Sequence, residues 1–366
     1  MAVPVDNTTG YSYQFQNFGK TSNRGIELSL NFDVINKGDF RFNIGAIYNY
    51  NRNKLDELPN ADQYLYSSYW GSSSLVPTND YMFVEGKAIG LVRGFVSEGF
   101  YTVNDFRYEN GQYILKEGIP DITKALTATY MHPFNIPNGQ TAFPGAAKFR
   151  DVNNSGTVDL DDATCLGEVM PRHTGSFQLN FNYKNFDLSS NFNWTAGGKV
   201  YNVAAMINAS GQEFDGIGAQ RTSWVADTYK VYNVNSSGDL YAVTDPNELN
   251  ALNANAKYHL PYHQSGITSS EWLEDGSYLR LQTLTLGYTL PHTVLNKIHI
   301  EKLRIYLTAT NLFTITGYSG IDPEVNATPT GQSGFYSNLR VFPTLNMDFG
   351  TYPRARTFTL GANITF

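Results

Sequence analysis

Cysteine is almost missing: Cys165 is the only one in 366 residues. That excludes an internal disulfide and any metal cluster built from cysteines. No stretch approaches the roughly 20 consecutive apolar residues of a membrane helix. The absence says nothing about a β-barrel, whose strands run about 9–11 residues and are half polar. There is no Lys/Arg run and the net charge is −7, so nucleic acid is not an expected partner. Sustained helical periodicity is scarce. Neither a nucleophile–base arrangement nor a phosphate-cradling glycine loop can be found, so no enzyme is expected. The opening stretch, MAVPVDNTTGYSYQ, has no basic start and no apolar core and is not a signal peptide.

What is present is alternation. Tyr 25, Phe 23 and Gly 32 in the composition, with abundant β-branched residues, Asn and Ser, point to an all-β chain rich in turns. In the last stretch, RARTFTLGANITF, Phe358, Leu360, Ala362, Ile364 and Phe366 share one face, while Thr357, Thr359, Gly361, Asn363 and Thr365 share the other. Ile26, Leu28, Leu30, Phe32 and Val34 alternate with Glu27, Ser29, Asn31 and Asp33. After the turn Asn36-Lys37-Gly38 the pattern resumes from Phe40 to Tyr50. A second hairpin spans Thr174 to Thr195 with its turn at Lys184-Asn185 and aromatic residues at both ends of the apolar row. That placement fits two interfacial girdles.

Strands are expected over 11–18, 25–35, 39–51, 173–183, 186–195, 277–290, 302–315 and 355–366, with a turn at TSNRG (21–25). Residues 52–171, 196–275 and 316–353 break the rhythm and read as long excursions with local strands. Short connections on one rim and long ones on the other are how an antiparallel transmembrane β-barrel is built, with short periplasmic turns and long extracellular loops. About eight to ten strands are expected.

One stretch matches a metal template. In Asp151 to Asp162, Asp151, Asn153 and Ser155 supply oxygens at positions one, three and five. Gly156 allows the sharp turn, Thr157 follows, and Asp162 closes the loop. This is the calcium-loop pattern and predicts a structural Ca2+ that pins a long loop. Ser155 and the short Asp162 predict modest affinity. His259 and His263 are separated by Pro261 and cannot share a helical face, so they are not read as a metal pair. His173 reads as a strand-end polar residue. Asp322-Pro323-Glu324 reads as a proline-fixed turn before a carboxylate pair. Trp70, Trp224 and Trp272 lie in excursions, where they either stack on sugars or pack the loops.

Several stretches resemble a known family. FRDVNNSGTVDLDDATCLGEVMPRHTGSFQLNFNYKNFDLSSNFNWTAGGKVYN (149–202) resembles the loop-and-hairpin signature of SusC/RagA-like TonB-dependent transporters. So do LRLQTLTLGYTLP (279–291), LRIYLTATNLFTITGYSGIDPEV (303–325), YPRARTFTLGANITF (352–366) and NRGIELSLNF (23–32). The resemblance implies import of nutrients, often oligosaccharides or peptides, across the outer membrane of Bacteroidota-type bacteria. It implies a barrel of about 22 strands, filled by an N-terminal plug, energised by the TonB complex and covered by a SusD-like surface lipoprotein lid. Residues 1–366 would be the C-terminal part of that barrel, embedded in outer-membrane lipid, with the plug and signal sequence outside them. Two other architectures stay open: a small self-closed outer-membrane barrel and a secreted, calcium-stabilised β-sandwich that binds glycans. The substrate is not legible, because specificity would reside in loops, lid and plug.

Overall fold

The structure, a computed structural model, describes residues 2–4, 13–15, 19–58, 63–68, 75–127, 132–210, 222–260, 266–295, 300–325 and 346–366. Its frame is one antiparallel sheet of seven strands, laid side by side in chain order. They are β1 (Lys20–Lys37), β2 (Phe40–Glu57), β3 (His173–Tyr183), β4 (Phe186–Ala196), β5 (Tyr278–Thr289), β6 (Lys302–Thr316) and β7 (Thr357–Thr365). Gly38, at φ +56°, and Lys184, at φ +51°, supply the left-handed backbone of the two tight turns. Lys184 N donates to Asp39 O at 3.0 Å and Thr289 N to Asn185 O at 2.9 Å, so the short connections crowd one rim. All three excursions leave from the other.

Register decides which residues share a face, because a strand's side chains alternate. Leu28 pairs with Tyr48, Tyr48 with Gly175, and Gly175 with Trp194. At the other edge Leu286 pairs with Leu307, and Leu307 with Leu360. One face is therefore a continuous apolar field, and its members are uncovered: Leu30 is 68% exposed, Phe32 66%, Phe358 65% and Leu360 76%. A β-sandwich would lay a second sheet over this field, and among the described residues nothing does. No helix among the described residues is long and apolar enough to cross a membrane, which says nothing of a barrel.

One expectation is corrected, and a second is described only in part. TSNRG is no turn but part of β1, which pairs with β2 as far as Lys20 opposite Glu57. Gly25 permits this, since a Cβ there would meet the Tyr50 carbonyl oxygen at 2.5 Å. Ladder hydrogen bonds along the extended hairpin outweigh the local turn preference of Ser-Asn-Gly. The strand expected over 11–18 is described only at Tyr13–Phe15, which pairs with Ala2–Pro4 apart from the seven-stranded sheet.

The excursions are not loose loops. Phe95, Tyr101, Tyr113 and Phe149 from the first enclose a core with Tyr229, Val243, Leu249 and Ile267 from the second. A second core, at the rim of the sheet, joins Leu55, Tyr81 and Val92 to Tyr201, Met206, Trp272 and Met347, so all three excursions contribute. Single bridges between Phe95 and Ser269 and between Val76 and Ile267 stitch the first two together. The result is a folded cap carried on one rim of the wall.

Candidate functional site

The face of the wall opposite the apolar field is lined with amides, hydroxyls and charges. Asn43 Nδ2 donates to Asn31 Oδ1 at 2.7 Å and to Asp33 Oδ1 at 2.9 Å. Asn180 Nδ2 reaches Asn43 Oδ1 at 3.5 Å, and Ser189 Oγ donates to Asn180 Oδ1 at 2.8 Å. Thr285 and Thr308 exchange a hydrogen bond at 2.9 Å. Short polar side chains in facing pairs make a hydrated surface that can exchange hydrogen bonds with a passing polar solute. Arg304 holds Asp187 through two bonds, Nε to Oδ1 at 2.9 Å and Nη2 to Oδ2 at 2.5 Å, near the short-turn rim.

At the other rim Arg280 is only 2% exposed. Its Nη2 meets Asp322 Oδ1 at 2.6 Å and its Nη1 meets Glu324 Oε2 at 3.0 Å, while Arg354 Nη2 lies 3.3 Å from the same Glu324 oxygen. Asp322 Oδ1 also accepts the Glu324 backbone N–H at 2.9 Å, so the Asp-Pro-Glu turn exists as read. The sequence hides its other role: both carboxylates clamp the third excursion to the wall. Arg280 escaped notice because LRLQT reads as an ordinary alternating strand. Its burial comes from a partner some forty residues away, which local pattern does not encode.

The acidic loop is ordered by its own oxygens. Asp151 Oδ1 accepts Ser155 N at 3.1 Å and Oδ2 accepts Gly156 N at 2.7 Å, while Asn153 Oδ1 also accepts Ser155 N at 2.8 Å. Asn154 at φ +56° and Gly156 at φ +87° turn the chain. Ser155 Oγ donates to Thr157 O at 2.8 Å, which gathers the donors of positions five and seven. Asp162 is fully buried. Its Oδ1 accepts Val152 N at 2.7 Å and Asn153 N at 3.2 Å, and its Oδ2 accepts Asp159 N at 2.8 Å. A carboxylate has about four lone-pair sites, so three N–H bonds leave Asp162 little to offer a cation. Positions one to seven thus bring their oxygens to one turn, where they order the loop's own N–H and O–H groups, and Asp162 is the clasp of the loop. Among the described residues no three His, Cys, Asp or Glu side chains come together as a metal cluster. Beside the loop opens a polar cleft of about 440 Å³ bordered by Glu98, Arg150, Asp151 and Asn154.

The remaining candidates are dispersed. His259 is buried, its Nδ1 2.6 Å from Leu260 O and its Nε2 3.6 Å from Glu271 Oε2, while His263 lies outside the described residues. His173 Nδ1 sits 2.8 Å from the Tyr48 hydroxyl on the apolar face. Trp272 is a core residue, only 2% exposed, and cannot serve as a sugar platform. Trp70 and the side chain of Trp224 lie outside the described residues.

Comparison with known proteins supplies the context. No family model matches the chain. TonB-dependent receptor P3 of Formosa agariphila is 28% identical over 363 residues, which covers 99% of this chain and 30% of that receptor. TonB-dependent receptor SusC of Bacteroides thetaiotaomicron is 24% identical over 372 residues, covering all of this chain and 28% of SusC. The chain spans about 30% of the length of the curated relatives it matches. Among solved structures, the RagAB peptide transporter matches the whole chain over 31% of its own, with a TM-score of 0.63 and 19% identity. The RagAB peptide importer in its closed-closed state gives a TM-score of 0.62 at 20% identity. The chain is thus homologous from end to end to SusC-type TonB-dependent receptors, and its fold is a portion of their antiparallel transmembrane barrel. Its location is the outer membrane of a Bacteroidota-type bacterium.

Proposed function

We propose that this chain is the C-terminal part of the barrel of a TonB-dependent importer, supplying a stretch of barrel wall and the folded cap that substrate meets first. The observation that carries the proposal is the two-faced sheet: an uncovered apolar field on one side and a hydrogen-bonded polar ladder on the other, in a chain similar throughout to such receptors. The apolar field faces lipid, the polar ladder faces a water-filled lumen, and the excursions form the extracellular side. Among the described residues the two edge strands, β1 and β7, each pair on one side only. An open edge in hydrocarbon costs several kcal/mol per unpaired group, so further strands of the receptor, to a total of about 22, close the barrel.

The imported solute is an oligosaccharide or a peptide. It is captured under a SusD-like lipoprotein and released inward by the TonB complex acting through the rest of the receptor. No reaction is catalysed. Calcium at Asp151, Asn153, Ser155 and the Thr157 carbonyl stiffens the cap in this scheme, with Asp162 holding the loop from below. Deleting the receptor gene and measuring uptake of labelled oligosaccharides and peptides tests the proposal. Loss of uptake of one class supports it, and unchanged uptake of both overturns it.

A further inference from the structure

We propose that the wall carries a binding site for the phosphate of an outer-leaflet glycolipid, on its lipid-facing side where β2 meets the cap. The apolar row of β2 ends in Tyr48 and Tyr50. The Tyr50 ring lies 5.2 Å from His173, and the Tyr48 ring lies 6.1 Å from Trp194. This is the aromatic shelf expected at the level of the headgroups. The same row continues to Arg52 and Lys54, with Arg24 paired opposite Arg52. There the turn Val84–Lys87 folds back onto the strand, held by Leu55 N to Lys87 O at 2.8 Å and Gly86 N to Leu55 O at 2.8 Å. Arg172 arrives from the start of β3, where its carbonyl accepts Asn51 N at 2.9 Å.

Arg52, Lys54, Lys87 and Arg172 border a cleft of about 190 Å³ whose only carboxylate is Glu168. Glu168 is already bonded to Arg172 at 2.6 Å, and Lys54 lies 3.5 Å from Asp56. Arg52 and Lys87 are exposed and have no ion pair among the described residues. Unpaired cations clustered immediately beyond an interfacial aromatic row attract an anionic headgroup, and Arg adds forked hydrogen bonding to phosphate oxygens. A neutral polysaccharide has nothing to satisfy this charge. The glycolipid source rests on the proposed outward orientation of the cap, since the opposite orientation would offer a glycerophospholipid.

The test uses the full-length receptor extracted from outer membranes in mild detergent, wild type and Arg52→Gln/Lys87→Gln, with retained lipid identified by native mass spectrometry. Phosphorylated lipid A and its dephosphorylated form are then offered to delipidated protein. Expected is retention of phosphorylated lipid A by the wild type, a loss of at least about tenfold in the variant, and no retention of the dephosphorylated form by either. Millimolar inorganic phosphate leaves the complex intact. Equal retention by the variant, equal retention of dephosphorylated lipid A, displacement by inorganic phosphate, or a glycerophospholipid in place of glycolipid overturns the proposal. Unchanged heat-modifiable gel mobility shows that the variant is folded. Whole-cell labelling of Asn110→Cys, in an exposed turn of the cap, checks the orientation separately, and solute uptake by the lipid-site variant stays at the wild-type level.

Discussion

Asp162 shows what a single buried carboxylate can do here. It is enclosed completely and answers three backbone N–H groups that the loop would otherwise leave unpaired. Replacing it by Ala orphans those donors, at about 1–3 kcal/mol for the group left unsatisfied. Asp162→Ala is expected to raise the rate of proteolytic nicking within 151–162 by about tenfold or more, with or without calcium. If only the calcium-treated sample changed, Asp162 would be acting as a ligand instead of a clasp. Arg280 poses the complementary case. Removing its charge strands Asp322, itself buried, so Arg280→Leu is expected to cost about 3–5 kcal/mol in urea titrations of the full-length receptor. The double change Arg280→Leu/Asp322→Leu is expected to recover part of that loss, because no unpaired buried charge remains at Asp322. Glu324 keeps Arg354 as its partner.

At the scale of the strand, alternate residues have opposite tolerances. Leu360 and Thr359 are neighbours in β7, but Leu360 joins the apolar field beside Leu307 whereas Thr359 joins the polar ladder beside Thr308. Leu360→Arg puts a charge into hydrocarbon at about 2–4 kcal/mol near the bilayer midplane, while Thr359→Arg faces water. The folded fraction in lipid vesicles, read from gel mobility, is expected to fall only for the first. This periodicity is also why the wall was legible. β3 was placed at 173–183 by pattern alone, and β4 to β7 within a residue or two, because period-two alternation is local information. One irregularity can be seen in the letters as well. The leucines step from 279 and 281 to 284 and 286, and that phase shift is the bulge at Gln282, the extra residue between the pairs Leu281–Phe192 and Thr283–Asn191. The cap was legible only as an interruption. Its cores join Phe149 to Tyr229 and Leu55 to Met347, contacts between distant stretches that carry no periodic signal. The clamp on Arg280 and the cation cluster at Arg52 were invisible for the same reason.

At the scale of the molecule the decisive feature is that the sheet has two edges. Among the described residues β1 and β7 each pair on one side only, and β1 is an 18-residue strand with an exposed apolar row. In water such an edge templates association, and in lipid its unpaired N–H and C=O groups are costly. A barrel abolishes the problem by joining edge to edge, so under the proposed function strands from the rest of the receptor join the sheet on both flanks. Refolded alone into detergent micelles, residues 1–366 are therefore expected to give a β-rich circular dichroism spectrum but a spread of oligomers in light scattering. Refolded together with the remainder of the receptor as a separate chain, they are expected to form a single one-to-one species with heat-modifiable mobility. A monodisperse monomer of 1–366, stable alone and resistant to protease at β1 and β7, would mean that the chain closes on itself as a small barrel. The same pair of samples separates wall from cap. The cap has a core built from the excursions alone and, under the proposed function, lies outside the hydrocarbon, so its protease-resistant fragments should persist even where the sheet fails to close.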